Sequence, residues 1–260
     1  MTAVSIPTAG AIDTIPAGRL GAYRLLLRWQ FLRQRQLLAL FVAIQMLIGV
    51  GIIFGFAFLV PHITTPVALY LSTGATTLTL VMIGLVVVPQ EVAQARTSGR
   101  QAYLDTLPVP RLAPLLAEVS FWVFVQVPGA VATLAVAVLR FHLSLHVSAL
   151  IIPAMALAAL TAAAVGCAIS MSLPPAATQQ VTQFVSIALL LFSPINFPLS
   201  RLPIVLQDIH RGLPVVYIAD LVRGGLTGHY GTSIPLAFAV VGAWCAAGLV
   251  LSARIASRRA

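Results

Sequence analysis

Residues 37–60 read LLALFVAIQMLIGVGIIFGFAFLV, 24 positions with no charged side chain. A helix rising about 1.5 Å per residue covers about 36 Å over that length, more than a bilayer's hydrocarbon layer, about 30 Å thick. Five further apolar runs, 67–88, 116–139, 147–173, 181–198 and 233–253, have the same character. The expected fold class is therefore an all-α membrane protein with six transmembrane helices, and six crossings leave both termini on one side. Of the 260 residues 60% are hydrophobic and 8% charged, against roughly 25% charged in a soluble domain.

Charge orients the bundle. All 15 basic residues are arginines. With the termini inside, the inner segments carry 11 of them: Arg19, Arg24, Arg28, Arg33, Arg35, Arg96, Arg100, Arg111, Arg254, Arg258 and Arg259. The outer segments carry four, Arg140, Arg201, Arg211 and Arg223, so the positive-inside rule predicts cytoplasmic termini. The net charge of +9 is spread over several loops rather than one soluble face, which points to anionic membrane lipid and not to nucleic acid. Without lysine the chain cannot form a P-loop, whose lysine reaches the β and γ phosphates. Arginine without lysine, with abundant alanine, looks by association like the product of a GC-rich bacterial genome, so the expected location is a bacterial plasma membrane.

Residues 1–18 lack the apolar core of a cleavable signal and are expected to form a disordered cytoplasmic tail. In 19–36, Leu20, Tyr23, Leu27 and Phe31 recur at helical steps while Arg24, Arg28 and Arg35 fall on another face. That is the pattern of an amphipathic interfacial helix, although a basic flank that only sets topology fits the same residues. Residues 37–260 then make a single transmembrane domain. Gly51 and Gly55 form a GxxxG packing face, and Ala158, Ala162, Gly166 and Ser170 repeat small-residue spacing, within the chain or against another subunit. Pro128, Pro153 and Pro194 are expected to kink spans.

The runs hold little chemistry. Glu91, Asp105 and Glu118 fall near the inner side, Asp208 and Asp220 in the outer segment, so no titratable group is placed mid-membrane for ion-driven transport. Gln45, Thr76, Thr77, Gln126 and Asn196 are the deep polar groups, candidates for lining a pathway or for interhelical hydrogen bonds. Cys167 and Cys245 read as small buried residues. His142 and His146 would share a face if their loop were helical, but nothing nearby completes a metal site and no nucleophile–base set assembles. No metal and no catalytic residue is expected.

Two segments are not simple spans. In 94–111 Gly99 can end the preceding helix, 102–107 can form a short helix, and Pro108 and Pro110 force a turn. Such a helix suits a soluble partner that pushes on the membrane domain, and an ordinary connector fits equally well. In 197–228 the apolar pieces are too short to span and are cut by Pro198, Pro203 and Pro214, which predicts two half-inserted or interfacial helices, 204–212 and 215–226. Asp220 and Arg223 could pair there, worth about 0.3–0.5 kcal/mol if solvated.

In these segments the chain resembles the membrane subunits of type-2 ABC exporters. Gly99, Pro108, Pro110 and Arg111 match the family's inner pattern, with Ala95, Thr97 and Arg100 replacing its usual acidic residues and threonine. The outer match is closer: Phe197, Pro198, Leu199, Leu202, Pro203, Leu206, Leu213, Pro214, Tyr217, Asp220 and Arg223. The resemblance implies six spans, an N-terminal interfacial helix, a coupling helix between spans two and three, and short re-entrant helices between spans five and six. It implies an ATPase-coupling role for Arg96, Gly99, Leu104, Thr106, Pro108 and Arg111, and an outer gate at 197–228. It further implies two separate ABC ATP-binding subunits that carry ATP and Mg, a second or paralogous permease, and amphipathic drugs, antibiotics or lipid-like molecules as cargo. The chain itself binds no cofactor in this reading and is not an enzyme. An ion-driven transporter and a non-transporting scaffold subunit are the alternatives.

Overall fold

The computed structural model describes residues 19–59, 64–110, 112–195, 197–199 and 202–258; the expected tail at 1–18, Arg111 and Asn196 lie outside them. Segment 19–36 and the first span form one element, α1 (Arg19–Leu59), 41 residues and about 60 Å long. No proline occurs within it, so nothing in the backbone separates an interfacial part from a spanning part. One stripe is buried, at Ala22, Leu26, Gln30 and Gln34 and again at Gln45, Gly49 and Ile53.

The second span is a rod, Thr65–Thr97. In it α2 (Thr65–Met82) passes through a π turn (Ile83–Val87) into α3 (Val88–Thr97). Pro89 cannot donate to the Leu85 carbonyl and its ring crowds that carbonyl, and a wider turn lets the chain pass. There follow α4 (Arg100–Asp105), α5 (Ala113–Phe141), α6 (Ile151–Ser172), α7 (Pro175–Leu191), α8 (Ile204–Gly212), α9 (Pro214–Thr227) and α10 (Ile234–Arg258). Among the described residues there is no strand. α9 begins one residue earlier than the sequence predicts, because Pro214 suits the first turn of a helix.

The helices cross the bundle six times between two ends. At the α4 end, Tyr23 and Gln30 of α1 bond Ser120 and Glu118 of α5, Arg96 of α3 reaches Ser170 and Leu173 at the close of α6, and Ala256 of α10 lies beside Leu104. At the far end, Arg140 of α5 lies over Phe54 of α1, the Tyr70 hydroxyl of α2 donates to the Pro194 carbonyl after α7, and Ser148 before α6 bonds Gly225 of α9. Five of the crossings, α1, Thr65–Thr97, α5, α6 and α10, are long and apolar enough to cross a membrane. The sixth, α7, has 17 residues and covers about 25 Å. It starts at Pro175, earlier than the expected 181–198, and is over by Leu191.

Close helix approach rests on glycines other than Gly51 and Gly55. A Cβ at either of those would meet nothing within 4 Å, so the GxxxG face packs against nothing inside the chain. A Cβ on Gly49 would instead overlap Thr133, one on Gly129 would overlap Gln45, and one on Gly166 would fall on the Gly84 carbonyl oxygen. Lipid tails give no hydrophobic drive between helices, so such backbone proximity supplies the packing. The small-residue stripe on α6 does pack inside: Ala158, Ala162, Gly166 and Ser170 are all buried. Of the three prolines expected to kink spans only Pro128 is interior. Pro153 lies in the first turn of α6, where no donor is missed, and Pro194 follows the end of α7.

Candidate functional site

The segment expected to couple movement begins where α3 ends. Gly99 has φ +74°, a left-handed conformation that glycine adopts without Cβ strain, and it turns the chain from α3 into α4. α4 runs Arg100–Asp105, two residues earlier than the predicted 102–107, because the helix starts directly at Gly99. One side of it is anchored. Leu104 is buried with Leu26, Ala113 and Ala117, and burying a leucine contributes about 1.5–3 kcal/mol.

Charge anchors the same side. The Arg100 guanidinium donates to the Glu91 carbonyl at 3.2 Å and lies 3.9 Å from the Glu118 carboxylate. Glu118 also accepts Gln30 Nε2 at 2.6 Å and the Trp122 indole N–H at 3.0 Å. Arg100 therefore ties α3 to α4 through the Glu91 carbonyl, and α1, α4 and α5 meet at one carboxylate. Its low solvent access makes each bond stronger than a surface contact. The other side of α4 is open: Tyr103 is 61% exposed, and Ala102, Thr106 and Pro108 are exposed beside it. Between α3 and α7, Gln90, Gln94, Pro175 and Gln179 line a cleft of about 460 Å³.

The remaining predicted coupling residues divide. Arg96 points inward and donates to the Ser170 and Leu173 carbonyls at 2.7 and 2.8 Å, satisfying the C-terminal end of α6 and opposing its dipole. The Thr106 hydroxyl donates to the Tyr103 carbonyl at 2.7 Å and closes α4. Sequence reasoning missed the anchors Arg100, Glu118 and Gln30. They were visible as charges and an amide near span ends, and only the fold brings them together.

At the far end α8 and α9 form a hairpin that dips into the bundle. The C-terminus of α9 lies at the start of α6, where Ser148 N–H bonds the Gly225 carbonyl. The carbonyl of Gly212, at the hairpin's bend, accepts the Trp244 indole N–H at 3.2 Å. Trp244 is ten residues into α10, about 15 Å along its axis. No residue of α8 is buried, and Ile204, Val205, Ile209 and the Asp208–Arg211 pair all face outward.

α9 is fixed by a charge cluster. Arg223 and Asp220 form the pair the spacing allows, 3.5 Å apart, and at 17% and 15% side-chain exposure they are largely withdrawn from water. Arg223 also donates to Thr73 Oγ1 at 3.3 Å and the Ile195 carbonyl at 3.1 Å and sits 3.7 Å from the Tyr70 ring centre, while Thr232 donates to Asp220 at 2.7 Å. Tyr217 donates to the Arg211 carbonyl at 3.0 Å, bracing α9 on α8. Pro214 is buried at the bend, whereas Pro198 and Pro203 are exposed and Phe197 is half-buried.

The candidate pathway residues are occupied otherwise. Gln45 Nε2 donates to the Gln126 carbonyl at 3.2 Å, Gln126 Nε2 to the Trp122 carbonyl at 3.0 Å, and the Thr76 hydroxyl to the Ser72 carbonyl at 2.9 Å. All three side chains are buried within the bundle, so they tie α1 to α5 and satisfy α2 and line no open space. The loop holding His142 and His146 is not helical, so they share no helix face. Among the described residues no group of three metal-type ligands occurs.

An all-helical body with several helices long and apolar enough to cross a membrane, and a short anchored helix at one end, defines a multi-pass membrane protein. The sequence matches the ABC-2 type transporter family over residues 22–227, and the chain belongs to that family. It is thus a permease of the ABC-transporter type and not itself a nucleotide-binding domain. A search of curated proteins finds no match.

Proposed function

We propose that this chain is one permease of an ATP-driven exporter in a bacterial plasma membrane, with both termini cytoplasmic. All six crossings serve as spans, α7 included. Two separate ATPase subunits carry the ATP and Mg, and a second or paralogous permease completes the pathway. ATP-driven closure pushes on α4, and α8–α9 acts as an outer re-entrant gate. Amphipathic drugs or lipid-like molecules suit so apolar a body.

The observation that carries this reading is the two-sidedness of α4. A short helix with Leu104 locked into α1 and α5, Arg100 set against Glu118 and Tyr103 left bare is a handle that moves with the spans. Arg96 extends that movement to α6. The test is reconstitution of the complex with its ATPase and measurement of hydrolysis and export together. Tyr103→Ala is expected to lower export per ATP several-fold while the permease still inserts and purifies. Unchanged coupling removes α4 from the mechanism, and uphill transport by this chain alone without nucleotide removes the proposal.

A further inference from the structure

The α4-side half of the bundle carries a half-open groove of about 380 Å³ between α6, α7 and α10. Its walls are apolar: Val165, Ile169 and Leu173 of α6, Val181 of α7, and Trp244 and Leu251 of α10. The volume lies at the lower end of the range for small-ligand pockets, about 300–1,000 Å³. Gly248 forms the floor, where a Cβ would lie 2.9 Å from the Ala164 backbone, so α6 and α10 close it from behind.

The groove has a polar end. Ala247, Leu251 and Arg254 follow at four- and three-residue steps and share one face of α10. Arg254 is exposed, and among the described residues it forms no ion pair. From Trp244 to Arg254 is ten residues, about 15 Å, half of a hydrocarbon layer about 30 Å thick. An apolar slot whose last wall residue on α10, Leu251, is followed within one turn on the same face by an exposed arginine matches one phospholipid in length and charge order.

We infer that this groove is a lipid site, seating an acyl chain of a phospholipid from the α4-side leaflet with its phosphate on Arg254. The site borders the α8–α9 hairpin at Trp244, whose indole N–H also donates to the Gly212 carbonyl, lies apart from the α4 anchor, and does not depend on what energises transport.

The test uses the full chain in nanodiscs containing phosphatidylglycerol with a diazirine on one acyl chain, with adducts mapped by mass spectrometry. Adducts are expected to concentrate on the groove walls. Ala247→Phe fills the slot from an exposed position and should cut them about tenfold, a change of about 1.4 kcal/mol in occupancy. Val250→Phe, exposed on the same helix but outside the groove, should leave them intact. Arg254→Gln should lower the preference for this probe over an uncharged diacylglycerol probe by about fivefold, the effect of one basic residue near an anionic surface. Adducts as frequent at Leu47 or Phe124, or insensitive to Ala247→Phe, overturn the site. So does ready disulfide formation between two chains carrying Ala247→Cys, which would mean a second copy fills the groove.

Discussion

Arg223 is held by an anion, a hydroxyl, a carbonyl and an aromatic face contributed by α9, α2 and the turn after α7. A charge so enclosed is costly to bury and is tolerated because each donor finds a partner. Asp220→Asn keeps the shape and leaves the guanidinium without its counter-charge, and should destabilise the chain by about 2–3 kcal/mol, the scale of hydrogen bonds to charged groups. Arg223→Met strands Asp220 with Thr232 alone and should cost about as much. The double variant Asp220→Asn with Arg223→Met should be more stable than the sum of the two losses, since it removes both charges together. Thermal unfolding in detergent checks this; additive losses would mean that the two residues do not act as a pair. The three-residue spacing of Asp220 and Arg223 is plain in the sequence. Their burial is not, because it depends on Tyr70 and Thr73, about 150 positions away.

Between elements, the closest approach is that of the π turn to α6. A Cβ on Gly84 would lie 2.5 Å from the Ala162 backbone, where no flexible side chain can yield. Gly84→Ala should therefore separate the second span from α6 and lower the unfolding temperature, whereas Gly55→Ala should change nothing in the isolated chain. Equal behaviour of the two would refute the contact. This contrast marks how far sequence reading reaches. Apolar runs longer than a bilayer is thick identify spans without any contact, and prolines and Gly99 mark α4, α8 and α9 to within about two residues. The GxxxG spacing at Gly51 and Gly55 says only that a close approach is permitted. Whether a helix comes near depends on rotation about its axis, and α1 turns Gly49 inward instead, against Thr133. The same rotation buries Gln45 and Gln126, which spacing alone could equally place along a pathway.

For the whole molecule the decisive asymmetry is between its ends. At the α4 end a short helix is bound through apolar and charged contacts to three crossings; at the other a hairpin descends into the bundle with one member, α8, unburied. α8 carries the Asp208–Arg211 pair at 62–63% exposure, while its last carbonyl lies within reach of Trp244, well below the end of α10. Charges at that depth are expensive against hydrocarbon, so the polar face of α8 belongs against water or protein. In the function proposed above, a push at α4 and a water-facing hairpin opposite are the two parts that alternating access requires. Ile204→Cys and Val205→Cys, at 76% and 71% exposed positions, make this measurable, because Cys167 and Cys245 are buried and leave little background labelling. An impermeant maleimide applied from outside should modify both positions in the complete complex, at a rate that shifts when the ATPases are trapped with nucleotide. A rate identical in both states would show that the hairpin does not move with the engine, and the gate would have to be sought elsewhere.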